Sequence, residues 1–397
     1  MNNTSVRVNR LSESATIAMA RKARELKSQG QDVISLSLGE PDFNTPDFIK
    51  DAAKQGIDQN YSKYMPVNGY LDLREAISKK FSRDNDINYT ADQIVVSTGA
   101  KQSIANVVLS CVNPGDEVIV PAPFWVSYEE IIKMAEGTPV FIETSIENDF
   151  KITPSQLKNA ITDKTKMMIY SSPCNPSGSV YSKDELRSLA DVLVNYPLIT
   201  IVSDEIYEHI NFTSKYFSMG AFSDMYNQVV TVNGVSKSFA MTGWRLGYIG
   251  APIWLAKACT KIQGQFTSGT SGISQRAALA AISADPIVIN DMKTAFLKRR
   301  DFILTELSKI KGIKINKPQG AFYVFPDVSS FFNKSYKDYT IKNSDDLTIY
   351  ILESAKVALV TGNAFGSPNC VRISYASSIK SLQIAVRRIA DSLNRLQ

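Results

Sequence analysis

Residues 229–248 read VVTVNGVSKSFAMTGWRLGY, and the organisation of the chain follows from this stretch. The β-branched run Val229–Val232 predicts a short buried strand, which delivers Ser236 and Lys237 beyond its end. Arg245 follows eight residues after the lysine, between glycines that leave room for close backbone approach. A hydroxyl, an amine and a guanidinium are therefore gathered within ten residues of mostly apolar chain.

Lys237 is the candidate nucleophile of this stretch. A lysine held among apolar groups has a lowered pKa, so part of it is free amine at neutral pH, the form that Schiff-base chemistry needs. The alternative interpretation is a solvated surface lysine, since lysine side chains are mostly exposed. The residues that accompany Lys237 at other strand ends favour the first interpretation.

Composition describes an ordinary globular protein with room for two core-bearing domains. The 397 residues are 44% hydrophobic and 21% charged, and the formal net charge of +5 arises from interleaved signs. Because the chain has no long basic run, we expect neither a nucleic-acid partner nor a membrane surface. Met1 to Arg10 contains no apolar segment typical of a secretory signal, so we expect a soluble cytoplasmic protein.

Metal-binding patterns are weak in this sequence. The four cysteines lie far apart without C-x-x-C spacing, and His209 is the only histidine. A zinc site is therefore not expected, no other metal site is predicted, and reduced thiols are the default. His209 is interpreted as a structural histidine.

Alternation of strand and helix patterns predicts an α/β fold. Seven strand candidates are Ile94–Ser97, Glu117–Val120, Pro139–Ile142, Lys166–Tyr170, Ile199–Ser203, Val229–Val232 and Gly247–Gly250. Helical stretches lie between most of them, which is typical of a mainly parallel sheet covered on both faces. We expect a large domain at 47–290 and a smaller α/β domain formed by 1–46 and 291–397. Ligands of such sheets bind beyond the carboxyl ends of the strands, so the chemistry is expected there.

The first of these strand ends carries an anion-binding pattern. Gly99, Ala100 and Lys101 join the strand at Ile94–Ser97 to a helix, whose N-terminal N–H groups favour an anion. A lysine in the first helical turn opposes the macrodipole, which indicates that it meets a negative charge. Packing alone is the alternative explanation of a strand–Gly–helix turn. The nucleoside-triphosphate motif G-x-x-x-x-G-K-[ST] is absent from the sequence.

Other strand ends carry polar residues that need partners. Asp204 follows the strand at Ile199–Ser203 and needs a cation or donor, although a helix N-cap is an alternative role. Tyr207, three residues later, is expected to point the same way. Asn175 lies between two prolines that fix it, or in a plain turn.

Two further residues depend on what surrounds them. Trp125, five residues beyond the strand ending at Val120, is either a core residue or a flat stacking surface. Arg372 lies inside the apolar run Cys370–Ser374, where a guanidinium is costly unless the protein or a ligand supplies a carboxylate. Pyridoxal phosphate (PLP) accounts for all these features together, because it needs a lysine, an acid, phosphate ligands and a flat neighbour. The G-x-G-x-x-G pattern of a nicotinamide dehydrogenase is missing.

The sequence resembles the class I, fold-type I PLP-dependent aminotransferases, and within them the bacterial aspartate aminotransferases of the Iγ subgroup. The matching stretches extend over nearly the whole chain and are Ser14–Thr16, Gly39–Phe43, Ser172–Gly178, Ser203–Tyr207, Ser236–Gly247 and Arg372–Ala376. The resemblance implies a large domain with a mainly parallel seven-stranded sheet, a smaller α/β domain and a homodimer.

The resemblance also implies roles for the cofactor-binding residues. Lys237 forms the Schiff base and then moves the substrate proton, and Asp204 keeps the pyridine nitrogen protonated. Tyr207 and Asn175 bond the phenolic oxygen of the cofactor, and Trp125 stacks on its ring. The phosphate is held by Ser236, Arg245, the backbone at Gly99, Ala100 and Lys101, and Tyr64 from the partner subunit.

For the substrate, the resemblance implies a fork from Arg372 to the α-carboxylate, helped by Gly39, Asn175 and Trp125. Lys101, with Thr16 nearby, meets the distal carboxylate. The predicted reaction is ping-pong transamination of L-aspartate with 2-oxoglutarate. An aromatic or glutamate/aspartate-prephenate aminotransferase is the enzymatic alternative, and a PLP-binding regulatory domain is the non-enzymatic one.

Three positions depart from the family pattern. Relatives that use prephenate typically carry a lysine where this chain has Ser12, so prephenate activity is an open point. Cys174 replaces the usual serine or asparagine before Asn175, and Arg276 stands where some relatives have tryptophan.

Overall fold

The computed structural model describes residues 3–397. Its helices are α1 Val6–Asn9, α2 Ala15–Ser28, α3 Asp47–Asp58, α4 Leu71–Asn85, α5 Ala100–Cys111, α6 Ser127–Met134, α7 Pro154–Ala160, α8 Lys183–Leu193, α9 Ile253–Phe266, α10 Gly272–Ser283, α11 Asn290–Leu307, α12 Ser344–Ala355 and α13 Ile379–Leu393. Its strands are β1 Ile34–Ser35, β2 Ile94–Ser97, β3 Glu117–Pro121, β4 Thr138–Ile142, β5 Thr165–Ser171, β6 Thr200–Asp204, β7 Val229–Gly234, β8 Gly247–Gly250, β9 Tyr323–Val324, β10 Lys334–Tyr336, β11 Tyr339–Ile341, β12 Val357–Ala358, β13 Val360–Thr361 and β14 Val371–Ser374.

Seven strands form the main sheet in the order β2-β8-β7-β6-β5-β3-β4. All neighbours pair in parallel except β8, which is antiparallel to both β2 and β7. All seven predicted strands are present, and the predicted mainly parallel α/β sheet is confirmed. Because the parallel strands point the same way, the residues that follow β5, β6 and β7 meet at one edge of the sheet.

Both faces of this sheet are covered by helices. Along β5, Met167 and Ile169 pack with α5 and α9 on one face, whereas Met168 and Tyr170 pack with α8 on the other. Successive side chains of a strand point to opposite faces, so a run that is apolar at every position is buried on both sides. This double burial explains why the strands have no alternating polar pattern.

The C-terminal part builds smaller sheets beside the main one. β13, β14 and β9 form an antiparallel sheet, β10 and β11 form a hairpin, and β1 pairs in parallel with β12. The predicted domain boundaries fall at the start of α3 and of α11. The division into 47–290 and 1–46 with 291–397 stays a prediction, and residues 1 and 2 lie outside the described part.

Two local expectations needed correction. The run Val33–Leu38 has the pattern of a six-residue strand, but only Ile34–Ser35 pairs as a strand, with Val357–Ala358. Helices α9 and α10 were not predicted. Across residues 3–397, no helix combines the length and the apolar composition that a membrane crossing requires.

Candidate active site

A cavity of about 260 Å³ lies at the carboxyl edge of the main sheet. Twelve predicted site residues line it: Thr16, Gly39, Ala100, Lys101, Trp125, Asn175, Asp204, Tyr207, Ser236, Lys237, Arg245 and Arg372. They come from segments far apart in the chain, which the parallel topology brings to one edge. Gly99 and Tyr64, the other two predicted residues, do not line the cavity.

Lys237 follows the end of β7 and points into the cavity. Its Nζ donates a hydrogen bond to the backbone oxygen of Gly39 at 2.6 Å, so the early turn at the sheet edge meets the lysine. Burial and the nearby cations Arg372 and Arg245, against the attraction of Glu40, lower the pKa of Lys237 to about 8. The expected lowered pKa is thus confirmed, and an appreciable fraction is free amine near neutral pH.

Asp204 is the last residue of β6 and is 5% exposed. Tyr128 Oη donates to its Oδ2 at 2.7 Å, and the N–H of Ile206 donates to Oδ1 at 3.2 Å. Burial raises the pKa of Asp204 to about 6, although both donors and Lys237 act in the opposite direction. A cationic ligand group bonded to this carboxylate would lower its pKa again.

Tyr207 lies on the turn after β6 and faces the same cavity. Its hydroxyl shares a 2.7 Å hydrogen bond with that of Tyr323 at the start of β9. Burial and Tyr323 raise the pKa of Tyr207 well above its ordinary value, so its hydroxyl keeps its proton. A Cβ at Gly39 would clash with Tyr323 Oη, so glycine permits the close approach of this turn.

Arg372 in β14 is 2% exposed and points out of the small sheet into the cavity. Its Nη1 donates to Asn175 Oδ1 at 3.0 Å, and its Nη2 donates to the backbone oxygen of Ser37. Among the described residues its Nε has no hydrogen-bond partner. The guanidinium also stacks on Tyr323, with 4.6 Å from Cζ to the ring centroid. Neutral groups thus hold this buried guanidinium in place, and no carboxylate of residues 3–397 forms a salt bridge with it.

At the other end of the cavity the start of α5 meets Arg245. Gly99 caps this helix with φ +86°, and a Cβ there would lie 2.5 Å from Arg245 Nη2. Arg245 itself has φ 54° and donates from Nη1 to the oxygen of Thr242 at 2.7 Å. Gly99 therefore contacts the guanidinium from behind, while Ala100 lines the cavity. A helix N-terminus beside an arginine is a site for an anion.

Lys101 lies one residue further along α5, at the mouth of the cavity. Its Nζ is 5.0 Å from the ring centroid of Trp125, which follows β3. Desolvation and the charge of Arg245 lower the pKa of Lys101. Lys101, Lys237, Arg245 and Arg372 thus face one cavity, and Asp204 is the one carboxylate in its lining. Such an excess of positive charge favours ligands with more than one anionic group.

The turn after β6 is anchored on its far side by a buried network. Glu205 and Glu208 alternate with the cavity residues Asp204 and Tyr207 and point toward α4. Asn85 Nδ2 donates to Glu205 at 3.2 Å and to Glu208 at 2.6 Å, and Lys80 forms a buried salt bridge with Glu208. His209 Nε2 lies 3.2 Å from Asp84 and 3.3 Å from Glu208, as expected for a structural histidine.

Several lining residues were missed at the sequence level. Tyr128 lies three residues after Trp125, and this spacing on the first turn of α6 is a signal that both side chains meet. Tyr323 carried no such signal, because its position depends on how the small sheet sits against the cavity.

The departures from the family pattern have different environments. Cys174 is buried, with Sγ 3.6 Å from the oxygen of Pro123, and burial raises the pKa of its thiol. All four cysteines are free and buried. The N–H of Ser12 donates to Glu130 at 2.8 Å. Arg276 lies outside the cavity. Tyr64 is 98% exposed and points to solvent.

Comparison with known proteins decides the family. Residues 31–389 match the family model described as aminotransferase class I and II. The chain belongs to this family. As a class I and II aminotransferase it acts on amino and keto acids, and the predicted enzyme class is confirmed.

Relatives of this aminotransferase are similar over their full lengths. An aspartate/prephenate aminotransferase from Nitrosomonas europaea is 46% identical, covering 98% of this chain and 99% of the relative. A bifunctional aspartate aminotransferase and glutamate/aspartate-prephenate aminotransferase from Petunia hybrida is also 46% identical, over 98% of this chain and 82% of the relative.

Solved structures agree with this assignment. The aspartate aminotransferase from Rhizobium meliloti is 38% identical with a TM-score of 0.96, and the match covers 100% of both chains. The Thermus thermophilus aspartate aminotransferase with maleate is 39% identical with a TM-score of 0.93, covering 99% of this chain and 100% of that one. The predicted fold type is therefore confirmed.

Proposed function

We propose that this aminotransferase is a PLP-dependent aspartate aminotransferase, which converts L-aspartate and 2-oxoglutarate to oxaloacetate and L-glutamate. One observation carries the proposal: four cations face one cavity whose lining offers a single carboxylate. In residues 3–397, none of these four cations forms a salt bridge, so their charges are available to a ligand. A phosphate and a dicarboxylate together supply the missing anions.

The cavity residues fit PLP. The N-terminus of α5, Gly99 and Arg245 form a cradle that a Cβ at position 99 would fill. With Ser236, and with Tyr64 of a second copy, they would hold the phosphate. Asp204 would hold the ring nitrogen, and Trp125 would cover a ring face. When bound, PLP supplies the electron sink that removal of an amino-acid Cα proton requires.

The remaining residues act on the cofactor and the substrate. Asn175 and Tyr207 would bond the phenolic oxygen. Arg372, with an orphan Nε in the described structure, would bind the α-carboxylate with its fork, next to the oxygen of Ser37 and the turn at Gly39. The amine of Lys237, with a pKa near 8, would accept and return the proton at the substrate Cα. All these roles are proposals for this chain.

The distal carboxylate is assigned to Lys101, with Thr16 beside it in the cavity lining. This ammonium lines the same cavity as Arg372 and has no carboxylate partner among residues 3–397. Four-carbon dicarboxylates suit two cationic ends, and maleate is such a ligand of the Thermus thermophilus relative. We place the protein in the cytoplasm, as its composition predicts.

An absorption spectrum of the purified protein tests the proposal. We expect a band of PLP bound to Lys237 that disappears on addition of L-aspartate and returns with 2-oxoglutarate. Lys237→Ala is the matched control and gives no such cycle. A band that ignores aspartate but responds to another amino acid would contradict the substrate assignment. A protein that takes up no PLP would contradict the cofactor assignment.

Prephenate transamination is the second candidate, because several relatives carry that activity in their names. The same spectrum distinguishes it, since a band restored by prephenate as acceptor would add this activity to the first. Because this chain has Ser12 where relatives that use prephenate typically carry a lysine, we expect prephenate to be a poor acceptor.

A further inference from the structure

The segment between α3 and α4, residues 61–70, carries Tyr64 at its tip and is fixed at both ends. The N–H of Tyr61 donates to the oxygen of Gly56 at 3.0 Å, and the N–H of Tyr70 donates to Gln275 Oε1 at 2.9 Å. Between these ends, Tyr64 is 98% exposed. The segment is thus anchored at both ends while the Tyr64 side chain is free to contact a second subunit.

Arg276 of α10 lies between the two ends of this segment. Its Cζ is 4.6 Å from the ring centroid of Tyr61 and 4.7 Å from that of Tyr70, and the two rings meet edge to face. Its Nη1 and Nη2 donate to the two carboxylate oxygens of Asp72, at 2.5 and 2.7 Å. One guanidinium therefore joins both ends of the segment to the first turn of α4. Only a planar, forked cation makes these contacts together.

Close backbone packing holds α10 against the same segment. A Cβ at Gly272 would lie 2.5 Å from the oxygen of Tyr61, and one at Gly269 would lie 2.8 Å from Met65 Sδ. On the other side, Gly56 of α3 leaves room for the stem of Arg276, whose Cγ would lie 3.0 Å from an added Cβ. The position of the guanidinium is thus set by packing and not by the salt bridge alone.

The residues before Arg276 also contact the cavity wall. Gln275 Nε2 donates to the oxygen of Thr270 at 2.9 Å, and Thr270 Oγ1 donates to the oxygen of Arg245 at 3.4 Å. The start of α10 is therefore a short connection between Arg245, which lines the cavity of its own subunit, and the segment that carries Tyr64.

We propose that Arg276 is a positioning residue that holds residues 61–70 in the conformation presenting Tyr64 to the cavity of a second copy of this chain. This inference rests on the proposed function, in which Tyr64 is a phosphate ligand of the partner subunit. Arg276 touches neither cofactor nor substrate in this arrangement. Without the guanidinium, the ends of the segment lose a shared contact and Tyr64 samples more orientations, which lowers affinity for PLP.

The test compares Arg276→Gln and Arg276→Lys with wild type, the holoenzymes by amide hydrogen exchange and the PLP-free forms by PLP titration. Without the guanidinium of Arg276, we expect amide hydrogen exchange in residues 62–68 to be at least about tenfold faster. The PLP dissociation constant should rise about fivefold, as for the loss of one modest interaction. The lysine variant should resemble the glutamine variant because it lacks the planar fork.

Two further variants make the result specific. Arg187→Gln is the matched control, since Arg187 on α8 stacks on Phe222 at 4.6 Å and pairs with Asp191 and Asp224, none of which contacts the segment in residues 3–397. It should leave exchange in 62–68 and PLP affinity unchanged. In a Tyr64→Phe background, Arg276→Gln should cost almost no additional affinity, because the two residues act through one contact.

Each outcome decides the inference. Unchanged exchange in residues 62–68 overturns it, as does a loss of PLP affinity that adds fully to that of Tyr64→Phe. Faster exchange with a non-additive loss of affinity supports it. A wild-type protein that binds no PLP contradicts the proposed function, and the exchange data then still show whether Arg276 orders the segment.

Discussion

Lys101 combines an exposed position at the cavity mouth with an ammonium that has no carboxylate partner in residues 3–397. Its Nζ rests 5.0 Å from the Trp125 ring, and desolvation together with Arg245 lowers its pKa. A cation so placed gains most from a ligand that brings its own negative charge. Under the proposed function, we therefore expect this one side chain to favour dicarboxylic substrates over aromatic ones.

Lys101→Met removes this charge and keeps the apolar stem against Trp125. We expect kcat/KM for L-aspartate to fall on the order of 100-fold, because the distal carboxylate loses a charged hydrogen bond in a partly desolvated site. Activity with L-phenylalanine should change much less. Steady-state kinetics with both amino acids measure the difference, and Lys133→Met on α6 serves as a control. An equal loss for both substrates would show that Lys101 does not meet the distal carboxylate.

At the scale of elements, the turn after β6 has two chemical faces. Asp204 and Tyr207 face the cavity, whereas Glu205 and Glu208 are buried against α4. Burial and the charge of Glu208 raise the pKa of Glu205 to about 8, from an ordinary value of 4.5. Burial also acts to raise the pKa of Glu208, but Lys80 and His209 lower it overall. Both carboxyl groups thus belong to the same buried network, but at neutral pH Glu205 is protonated and Glu208 is ionised.

Glu205 makes stability depend on pH in a definite direction. Between pH 4.5 and 8 the native state retains a proton that the unfolded chain has lost, so the free energy of unfolding falls as pH rises through this window. Glu205→Gln does not titrate, so its stability relative to wild type should increase on the order of 2 kcal/mol from pH 5 to 8.5. Urea unfolding of both proteins measures this change, and the exposed Glu25→Gln serves as control. Parallel pH curves for wild type and Glu205→Gln would contradict the prediction.

Helices and strands were predictable from the sequence wherever burial produces a simple pattern of apolar residues. Most strands of the main sheet are short runs rich in apolar residues, a pattern typical of strands buried on both faces. Helices α9 and α10 were missed because their sequences are rich in apolar and small residues without a sharp polar face. Their buried residues, among them Cys259, Ala277 and Ala281, pack on elements distant in the chain.

The candidate site was predictable to a similar extent and for a similar reason. Residues at strand ends, such as Lys237 and Asp204, are placed by the topology of a parallel sheet. Tyr323 lines the cavity, and Ser37 accepts a hydrogen bond from Arg372, only because the small sheets dock beside the main one. The contacts of Arg276 likewise join four segments of the chain, and such contacts cannot be inferred from the sequence. The sequence showed only that Arg276 departs from the family pattern.

At the scale of the whole molecule, several large apolar side chains are exposed, among them Leu71, which directly follows the segment that carries Tyr64. Leu71 is 53% exposed, Phe266 is 70% exposed and Trp254 is 57% exposed. Apolar side chains of this kind are suited to burial when two subunits associate. They support the proposed homodimer, in which each cavity receives Tyr64 from the other subunit.

Mixed dimers of Lys237→Ala and Tyr64→Ala chains test this arrangement. If Tyr64 acts across the interface, one cavity of each mixed dimer contains an intact lysine and an intact tyrosine. After equal mixing and reassembly, about a quarter of all sites should regain wild-type PLP affinity and turnover, as two-fold symmetry predicts. Activity at limiting PLP measures the recovery, and each parent alone gives the baseline. No recovery despite subunit exchange would show that Tyr64 acts within its own subunit.

The architecture of the cavity also determines how much of the chain must be synthesised before the protein can be active. Arg372 donates to the oxygen of Ser37, and these partners lie 335 positions apart in the chain. Translation must therefore proceed through Arg372 before the wall of the cavity exists. A nascent chain that has not reached Arg372 lacks the guanidinium that completes the cavity wall, even if its earlier segments have folded. Under the proposed function, a chain that loses β14 to a protease also loses the guanidinium of Arg372, and we expect it to be inactive.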